Sequence, residues 1–198
     1  MATMSQDRPT ALNTRRIVVA GVLGAIAIAL GVTRLGFIPV PNTTENATIM
    51  HVPAIVGAVL EGPIVGVLAG GIFGIFSWIN ATSPLFANPI IAVVPRLLIG
   101  LVAWLVYRAL RPMNQDLAAA AAGVAGTLTN SIGVLGLAIV FGFGAAIIPA
   151  LPVIALTNVL PEAVLAAVIT PIIARAVNLV RSGRTSAADT TPRDKSSF

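Results

Sequence analysis

The chain has 198 residues, of which 57% are hydrophobic and only 10% charged, with a formal net charge of +5. A soluble globular domain carries about 25% charged residues, so this chain lacks the polar surface that water requires, and its natural solvent is a bilayer. The absence of cysteine excludes disulfides, thiolate catalysis and cysteine-based metal sites. The positive charge does not indicate a nucleic-acid partner, because in a membrane protein its placement relative to the spans matters more than its total.

Apolar runs divide the chain into six candidate transmembrane spans. Residues 1–14 are a polar N-terminal tail, and residues 179–198 are predicted to be a disordered cytoplasmic tail. Residues 15–178 form the domain between them. The apolar runs cover residues 17–33, 47–60, 63–79, 89–107, 117–140 and 151–177. The predicted fold is therefore an all-α membrane protein, a bundle of six transmembrane helices.

Basic residues set the predicted orientation of this bundle. With six spans, all but two of the basic residues fall on one side of the membrane. The residues on that side are Arg8, Arg15, Arg16, Arg108, Arg111, Arg175, Arg181, Arg184, Arg193 and Lys195. Arg34 and Arg96 are the exceptions. Cytoplasmic loops carry the excess of arginine and lysine, so both termini are predicted to be cytoplasmic.

Small residues line one face of the first and third spans. On the first span they are Gly21, Ala25 and Ala29, four residues apart. On the third span they are residues 66, 70 and 74, all glycine. Small residues let membrane helices approach closely, since no hydrophobic effect pulls helices together in lipid. Two interpretations stay open, packing within the bundle and contact with a second membrane protein.

Two connections between spans carry further predictions. Residues 34–46 link the first two spans on the outside and either fold over a pocket as a lid or act as a plain connector. Glu61, Gly62 and Pro63 form a tight cytoplasmic turn, in which Glu61 is interpreted as a residue in contact with water. His51 lies near the outer end of the second span, either as an interfacial polar residue or as part of a site.

Polar residues in three spans lie at similar depths. Arg96, Asn130 and Glu162 lie about 16 to 21 Å from the cytoplasmic ends of their spans, at about 1.5 Å per residue. Asn158 lies one turn beyond Glu162. Ionisable residues at such depth are costly and are candidates for function. Their positions predict a pocket that opens outward.

The chemistry of these side chains suits an organic solute. Arg96 can hold a carboxylate or phosphate through its planar guanidinium, and Asn130 and Asn158 can donate and accept hydrogen bonds at once. Trp78 and Asn80, near the outer end of the third span, can add a stacking face and a polar group. The alternative is that the arginine and the glutamate form a structural ion pair while the asparagines bond between helices.

Motifs of catalysis are missing from the sequence. It has no phosphate-binding loop ending in Gly-Lys-Ser/Thr, no His-Glu-x-x-His and no Gly-x-Ser-x-Gly, and His51 is its single histidine. A metal site, a cofactor and an enzymatic activity are therefore not expected. The chain is also small for an autonomous alternating-access carrier and has no convincing internal repeat. A binding or transport role remains.

Three stretches resemble a known family. They are ATIMHVPAIVGAVLEGPIVGVLAGGIFG at residues 47–74, FANPIIAVVPRLLIGLVAWLVYRAL at residues 86–110 and TNVLPEAVLAAVITPIIARAV at residues 157–177. They look like the substrate-binding S component of energy-coupling factor (ECF) vitamin transporters, in the pantothenate, riboflavin and folate superfamily. The resemblance runs over most of residues 15–178.

The resemblance implies a six-helix protein of the prokaryotic plasma membrane with both termini inside and a pocket capped by the first external loop. Such proteins bind a water-soluble vitamin and work with a transmembrane T component and two ATPases, which would explain the missing phosphate-binding loop. The small-residue motif of the family contacts the T component. Here it matches Gly21 and Ala25, or Ala25 and Ala29, and Ala25 belongs to both. His51 and Pro53 would help to shape the outer pocket.

The identity of the vitamin is a hypothesis. The residues offer one deep cation, several amides and few aromatic rings, which suits a small flexible acid. We therefore expect pantothenate, with Arg96 on its carboxylate and Asn130 on its amide or hydroxyls. The alternatives are another B vitamin (riboflavin, folate, pyridoxine or a thiamine precursor), an autonomous carrier or small membrane enzyme using Arg96 and Glu162, and a purely structural scaffold.

Overall fold

A computed structural model describes residues 13–39, 46–81 and 83–189. The helices of this part of the chain are α1 (Thr14–Val32), α2 (Val52–Glu61), α3 (Pro63–Ile79), α4 (Pro89–Leu110), α5 (Gln115–Ala138), α6 (Gly144–Ile154) and α7 (Leu160–Asp189). Short connections are a 3-10 turn (Pro84–Ala87) and two π-helical turns (Ile139–Phe143 and Ala155–Val159). Strands β1 (Phe37–Pro39) and β2 (Asn46–Thr48) pair antiparallel.

Asparagine side chains cap three of the helices at their N-termini. Asn13 accepts a hydrogen bond from the backbone N–H of Arg16, and Asn88 accepts one from that of Ile90. Asn114 caps α5 in the same way, with two backbone N–H donors from its first turn. A helix N-terminus has four N–H groups without intrahelical partners, and a capping side chain satisfies one or two of them at the boundary of a span.

Helix α2 lies at the centre of the bundle. All its residues from Val52 to Val59 are buried, and it packs against α1, α3, α4, α5 and α7. Gly62 ends it with φ of 99°, a conformation that favours glycine, and Pro63 starts α3 at once. The tight turn predicted from these two residues is therefore present.

Helices α3 and α4 contact each other backbone to backbone through the glycine face of α3. A Cβ added at Gly70 would lie 2.1 Å from the backbone oxygen of Arg96, and one at Gly66 would lie 2.9 Å from the Cα of Gly100. Gly74 approaches Val93 in the same way. This face packs inside the protein, which decides between the two interpretations of the third span.

The C-terminal part of the chain turns back on itself. Phe141 and Gly142 have non-helical backbone angles, and the chain kinks there between α5 and α6. Arg175 in the middle of α7 pairs with Asp116 at the start of α5, and Ala166, earlier in α7, meets Gly123, later in α5, so α5 and α7 run antiparallel. Gly123 of α5 meets the backbone of α7, which keeps the two helices close.

Three helical stretches are long and apolar enough to cross a membrane: Thr14–Val32, Pro89–Leu110 and the kinked stretch Gln115–Ser182. Two shorter apolar helices, α2 and α3, accompany them. Many large apolar side chains are exposed on the outside of these helices, as expected for contact with lipid. The chain is thus a helical membrane protein, while the count of six spans and the cytoplasmic termini stay predictions.

Three segments show structure that the sequence patterns did not specify. The connection between α1 and α2 contains the paired strands β1 and β2; its residues 40–45, on which part of the lid prediction falls, lie outside the described residues. Residues 141–150, between the fifth and sixth apolar runs, belong to a π-helical turn and to α6. Helix α7 continues to Asp189, into the segment predicted as a tail.

Candidate functional site

Arg96 is the most deeply buried cation of the described structure. It lies on α4 with only 3% of its surface exposed. Its Nη1 donates a hydrogen bond of 2.9 Å to the backbone oxygen of Ile91. Its Cζ lies 5.4 Å from the ring centroid of Phe73 and 4.8 Å from that of Phe86. Within the described part of the chain, its Nε–H has no partner.

The residue before Arg96 explains this conformation. Pro95 lies inside α4 and has no backbone N–H. The carbonyl four residues earlier, that of Ile91, therefore loses its α-helical donor. The guanidinium of Arg96 folds back and supplies that hydrogen bond. The Pro95-Arg96 pair thus fixes one edge of the guanidinium to its own helix.

The described structure contains no direct ion pair between Arg96 and Glu162. The Oε1 of Glu162 instead accepts a hydrogen bond of 2.6 Å from the backbone N–H of Thr48. The alternative of a structural ion pair between the arginine and the glutamate therefore does not describe this arrangement. The charge of Arg96 is left available to an anion.

His51 is fully buried and joined to Thr127 of α5, with 2.8 Å between Nε2 and the hydroxyl oxygen. That hydroxyl donates its proton to the backbone oxygen of Gly123, at 3.0 Å. Since a hydroxyl has a single proton, it accepts from His51, which fixes the proton of the imidazole on Nε2. Nδ1 of His51 is then an acceptor, and it has no partner among the described residues.

Asn130 is buried on the face of α5 that meets α2 and α4. Gly126, one turn before it, packs against Ile55 of α2, and Gly133, about one turn after it, packs against Pro95 of α4. Its Oδ1 lacks a partner in the described structure. Asn130 therefore adds a second buried acceptor near the helix segment that carries Arg96.

Asn158 lies buried on the π-helical turn between α6 and α7. Its Oδ1 accepts a hydrogen bond from the hydroxyl of Thr157. This widened turn immediately precedes α7, in whose first turn Pro161 lacks a backbone N–H. Strand β2 contacts both this π-helical turn and α7, so the start of α7 lies beside the hairpin.

Trp78 and Asn80 are not brought to this buried group. Trp78 is exposed near the end of α3, and Asn80 donates its side-chain amide to the backbone oxygen of Phe76 on its own helix. Sequence reasoning instead missed Phe73, Phe86 and Thr127. Only the last carries a signal, a threonine in the same span as Asn130 and three residues before it.

The chemistry of the unpartnered atoms is specific. Arg96 offers a charged donor, and His51 and Asn130 offer acceptors, all of them buried. Buried polar atoms without partners are rare and costly, so a complementary molecule is expected to satisfy them. No group of three metal-ligating side chains is found in the described residues.

The small-residue face of α1 points away from the bundle. Gly21, Ala25 and Ala29 are exposed, whereas Ala20 and Gly24 on another face are buried against the protein. A Cβ added at Gly21 would meet nothing within 4 Å. This face therefore makes no packing contact with the described residues of the bundle.

Glu61 lies at the opposite end of the bundle from His51, and its interpretation as a residue in contact with water is wrong. Its side chain is only 6% exposed. Arg15 of α1 and Arg181 of α7 both donate to its Oε1. The turn between α2 and α3 is thus joined to both terminal helices by ion pairs that sequence spacing did not reveal.

Comparison with known proteins identifies the family of this chain. The family model described as "ECF transporter, substrate-specific component" matches residues 15–174. The pantothenic acid transporter PanT of Lactococcus lactis subsp. cremoris is 31% identical over 159 residues, which cover 68% of this chain and 79% of that protein. The chain belongs to the family of substrate-specific components of ECF transporters.

Proposed function

We propose that this chain is the S subunit that binds pantothenate at the outer side of a prokaryotic plasma membrane, for ATP-driven import by partner subunits. One observation carries the proposal: a buried guanidinium on α4 without a direct counter-ion, and buried acceptors at the start of α2 and on α5, which pack against α4, that have no partner in the described structure. Its Nε–H and positive charge suit a carboxylate, through a charge-assisted hydrogen bond.

Pantothenate has the complementary groups. Its carboxylate would accept from Arg96, while its amide N–H and two hydroxyls would donate to His51 Nδ1 and Asn130 Oδ1. Glu162 already accepts from Thr48, so in this proposal it supports the outer hairpin rather than the vitamin. The similarity to the pantothenic acid transporter PanT supports the same choice among vitamins.

The proposal includes six spans with both termini in the cytoplasm. In this proposal the kinked stretch Gln115–Ser182 forms two spans, and the kink at Phe141 and Gly142 and the antiparallel course of α5 and α7 support that count. The ion pairs of Glu61 and Asp116 then lie at the cytoplasmic end. Helix α1 would present Ala25 to a T component, which in turn couples to two ATPases.

The first test is pantothenate binding to the purified chain by calorimetry. Arg96→Ala is expected to weaken binding about 10- to 100-fold, since a hydrogen bond to a charged group contributes about 1.5–3 kcal/mol. The neutral alcohol pantothenol, which lacks the carboxylate, serves as the control ligand. Its weaker binding should be unchanged by the substitution.

Three outcomes would contradict the proposal. Equal affinity of wild type and Arg96→Ala for pantothenate would remove Arg96 from the site. A wild-type chain that binds another B vitamin of the panel and not pantothenate would keep the S-component role and change the substrate. Uptake by the chain alone in liposomes would favour an autonomous carrier.

A further inference from the structure

Phe86 is a half-buried ring that comes from outside the long helices. It lies on the 3-10 turn Pro84–Ala87 between α3 and α4. Its ring centroid is 4.8 Å from the Cζ of Arg96. The same ring packs against an apolar cluster that includes Ile91, Val134 and Ile147. That packing holds the ring against the guanidinium from the side of the loop.

The contact has an electrostatic consequence. A buried guanidinium needs something to replace the water that it has lost, and in the described structure Arg96 has no direct anionic partner. The negative face of an aromatic ring attracts a cation, and the attraction is stronger when both are desolvated. Phe73 and Phe86 therefore stabilise the charge of Arg96 without occupying its hydrogen-bond donors.

Three contacts hold the guanidinium of Arg96 and leave its Nε–H without a partner among the described residues. Nη1 is held by the backbone oxygen of Ile91, and two rings lie within 5.4 Å of Cζ. The Nε–H has no partner in the part of the chain that is described. An arginine flexible about four side-chain bonds is thereby held with its charged Nε–H donor free.

We propose that Phe86 is a positioning residue for this anion site: its ring holds the charged guanidinium of Arg96 in place and so sets the preference for a carboxylate over a neutral analogue. The inference rests on the proposed function, because it assigns the carboxylate of the vitamin to Arg96. It adds a determinant of specificity that lies outside the polar residues of the site.

Phe86 is better suited to a test than Phe73. Phe73 is buried in a cluster with Ala27 and Met50, so its truncation would leave a cavity in the bundle. Phe86→Leu keeps an apolar side chain at the turn and removes the aromatic face. Phe86→Tyr retains the ring. Leu85→Ala is the matched control, because Leu85 belongs to the same turn and packs against the same cluster.

The experiment measures the affinities of the purified variants for pantothenate and for pantothenol. Phe86→Leu is expected to weaken pantothenate binding about 3- to 10-fold, as the loss of one desolvated cation–π contact implies. It should leave pantothenol binding within about twofold. Phe86→Tyr should restore the wild-type ratio of the two affinities, and Leu85→Ala should leave that ratio unchanged.

The outcomes separate this inference from the proposed function. If Phe86→Leu weakens both ligands equally, or neither, Phe86 is merely part of the wall and the inference is wrong. If wild type binds another carboxylate-bearing vitamin instead of pantothenate, the proposed substrate is wrong. The role of Phe86 is then tested by the ratio of the affinities for that vitamin and for its neutral amide, compared between wild type and Phe86→Leu. If wild type binds no carboxylate at all, both proposals are overturned.

Discussion

Glu162 on α7 is joined to the hairpin of β1 and β2 by one short hydrogen bond: its Oε1 accepts from the backbone N–H of Thr48 on β2, at 2.6 Å. The two residues are 114 positions apart in the chain. β1 and β2 belong to the connection between α1 and α2, so this bond ties the first part of the molecule to the last helix. A hydrogen bond between a carboxylate and a backbone N–H is among the stronger ones in proteins.

Replacing Glu162 by alanine is expected to loosen the hairpin. The N–H of Thr48 would lose its acceptor, and a bond of this kind contributes about 1.5–3 kcal/mol, so the open population should rise about 10- to 100-fold. Because the chain has no cysteine, a single Ala47→Cys substitution gives a clean reporter at a residue of β2 that is fully buried. Thiol labelling at residue 47 should accelerate correspondingly.

Glu162→Gln is the matched control for this labelling. Its amide oxygen can still accept from Thr48, although without the negative charge, so an intermediate rate is expected. If Ala and Gln variants label as slowly as the protein with Glu162, the hairpin is held by other contacts and the carboxylate is not its anchor.

Thr127 is expected to hold the proton of the His51 imidazole on Nε2, which keeps Nδ1 as a hydrogen-bond acceptor. Thr127→Val keeps the shape of the side chain and removes the hydroxyl, which leaves the buried Nε2–H of His51 without its acceptor. An unsatisfied buried donor costs about 1–3 kcal/mol, so both thermal stability and pantothenate affinity should fall. Thr127→Ser, which retains the hydroxyl, should restore both. Calorimetry and thermal unfolding in detergent measure the two effects, and a Val variant with unchanged affinity would separate His51 from the binding site.

The sequence predicted the depth of the polar residues but not their contacts. Arg96, Asn130 and Glu162 were identified because charged and amide side chains stand out in apolar helices. The hydrogen bond between Glu162 and Thr48 joins residues from distant parts of the chain, and helical periodicity carries no information about such pairs. Phe86 gave no signal, because one phenylalanine in an apolar loop is indistinguishable from ordinary packing.

Two other differences have physical reasons. Glu61 was interpreted as a residue in contact with water because glutamate in a Glu-Gly-Pro turn is usually exposed. Its burial depends on Arg15 and Arg181, whose position beside the turn follows from the packing of the terminal helices. Trp78 and Asn80 were placed in the site by depth alone, which says nothing about which face of α3 they occupy.

Substitution by alanine is expected to destabilise the protein at Gly70 and to have no effect at Gly21. Gly70→Ala would place a Cβ 2.1 Å from the backbone oxygen of Arg96, so α3 and α4 must separate at the site. A backbone clash of this kind cannot be relieved by a rotamer change, and we expect poor accumulation or a loss of several degrees in Tm. Gly21→Ala meets nothing within 4 Å and should fold and bind like wild type. Similar stability of the two variants would contradict the packing of α3 against α4.

Ala25 is expected to affect assembly and not ligand binding. It lies on the exposed face of α1, and leucine there adds bulk where a partner helix is proposed to approach. Ala25→Leu should retain pantothenate affinity but lose co-purification with the T component and support no uptake. The control is Val22→Leu, also on the exposed surface of α1, where a large side chain is already present. Normal assembly of the Ala25 variant would place the partner surface elsewhere.

Glu61 is expected to stabilise the bundle in a way that depends on salt. Its nearly buried carboxylate forms ion pairs with Arg15 and Arg181. Both arginines are substantially exposed, so their attraction to the carboxylate is partly screened by water and ions. Glu61→Gln removes the charge and keeps the shape. We expect a lower Tm for this variant at low ionic strength, and a difference from wild type that shrinks as salt is added.

Asp116→Asn is the matched control for Glu61, since it removes the charge that pairs with Arg175 in a more exposed pair. Its effect on Tm should be smaller, because an exposed ion pair contributes little. The contrast tests burial rather than charge alone. If the two substitutions lower Tm equally, the burial of Glu61 adds nothing to its ion pairs. If the Tm difference between Glu61→Gln and wild type is independent of salt, the side chain of Glu61 acts through hydrogen bonding and packing rather than through its charge.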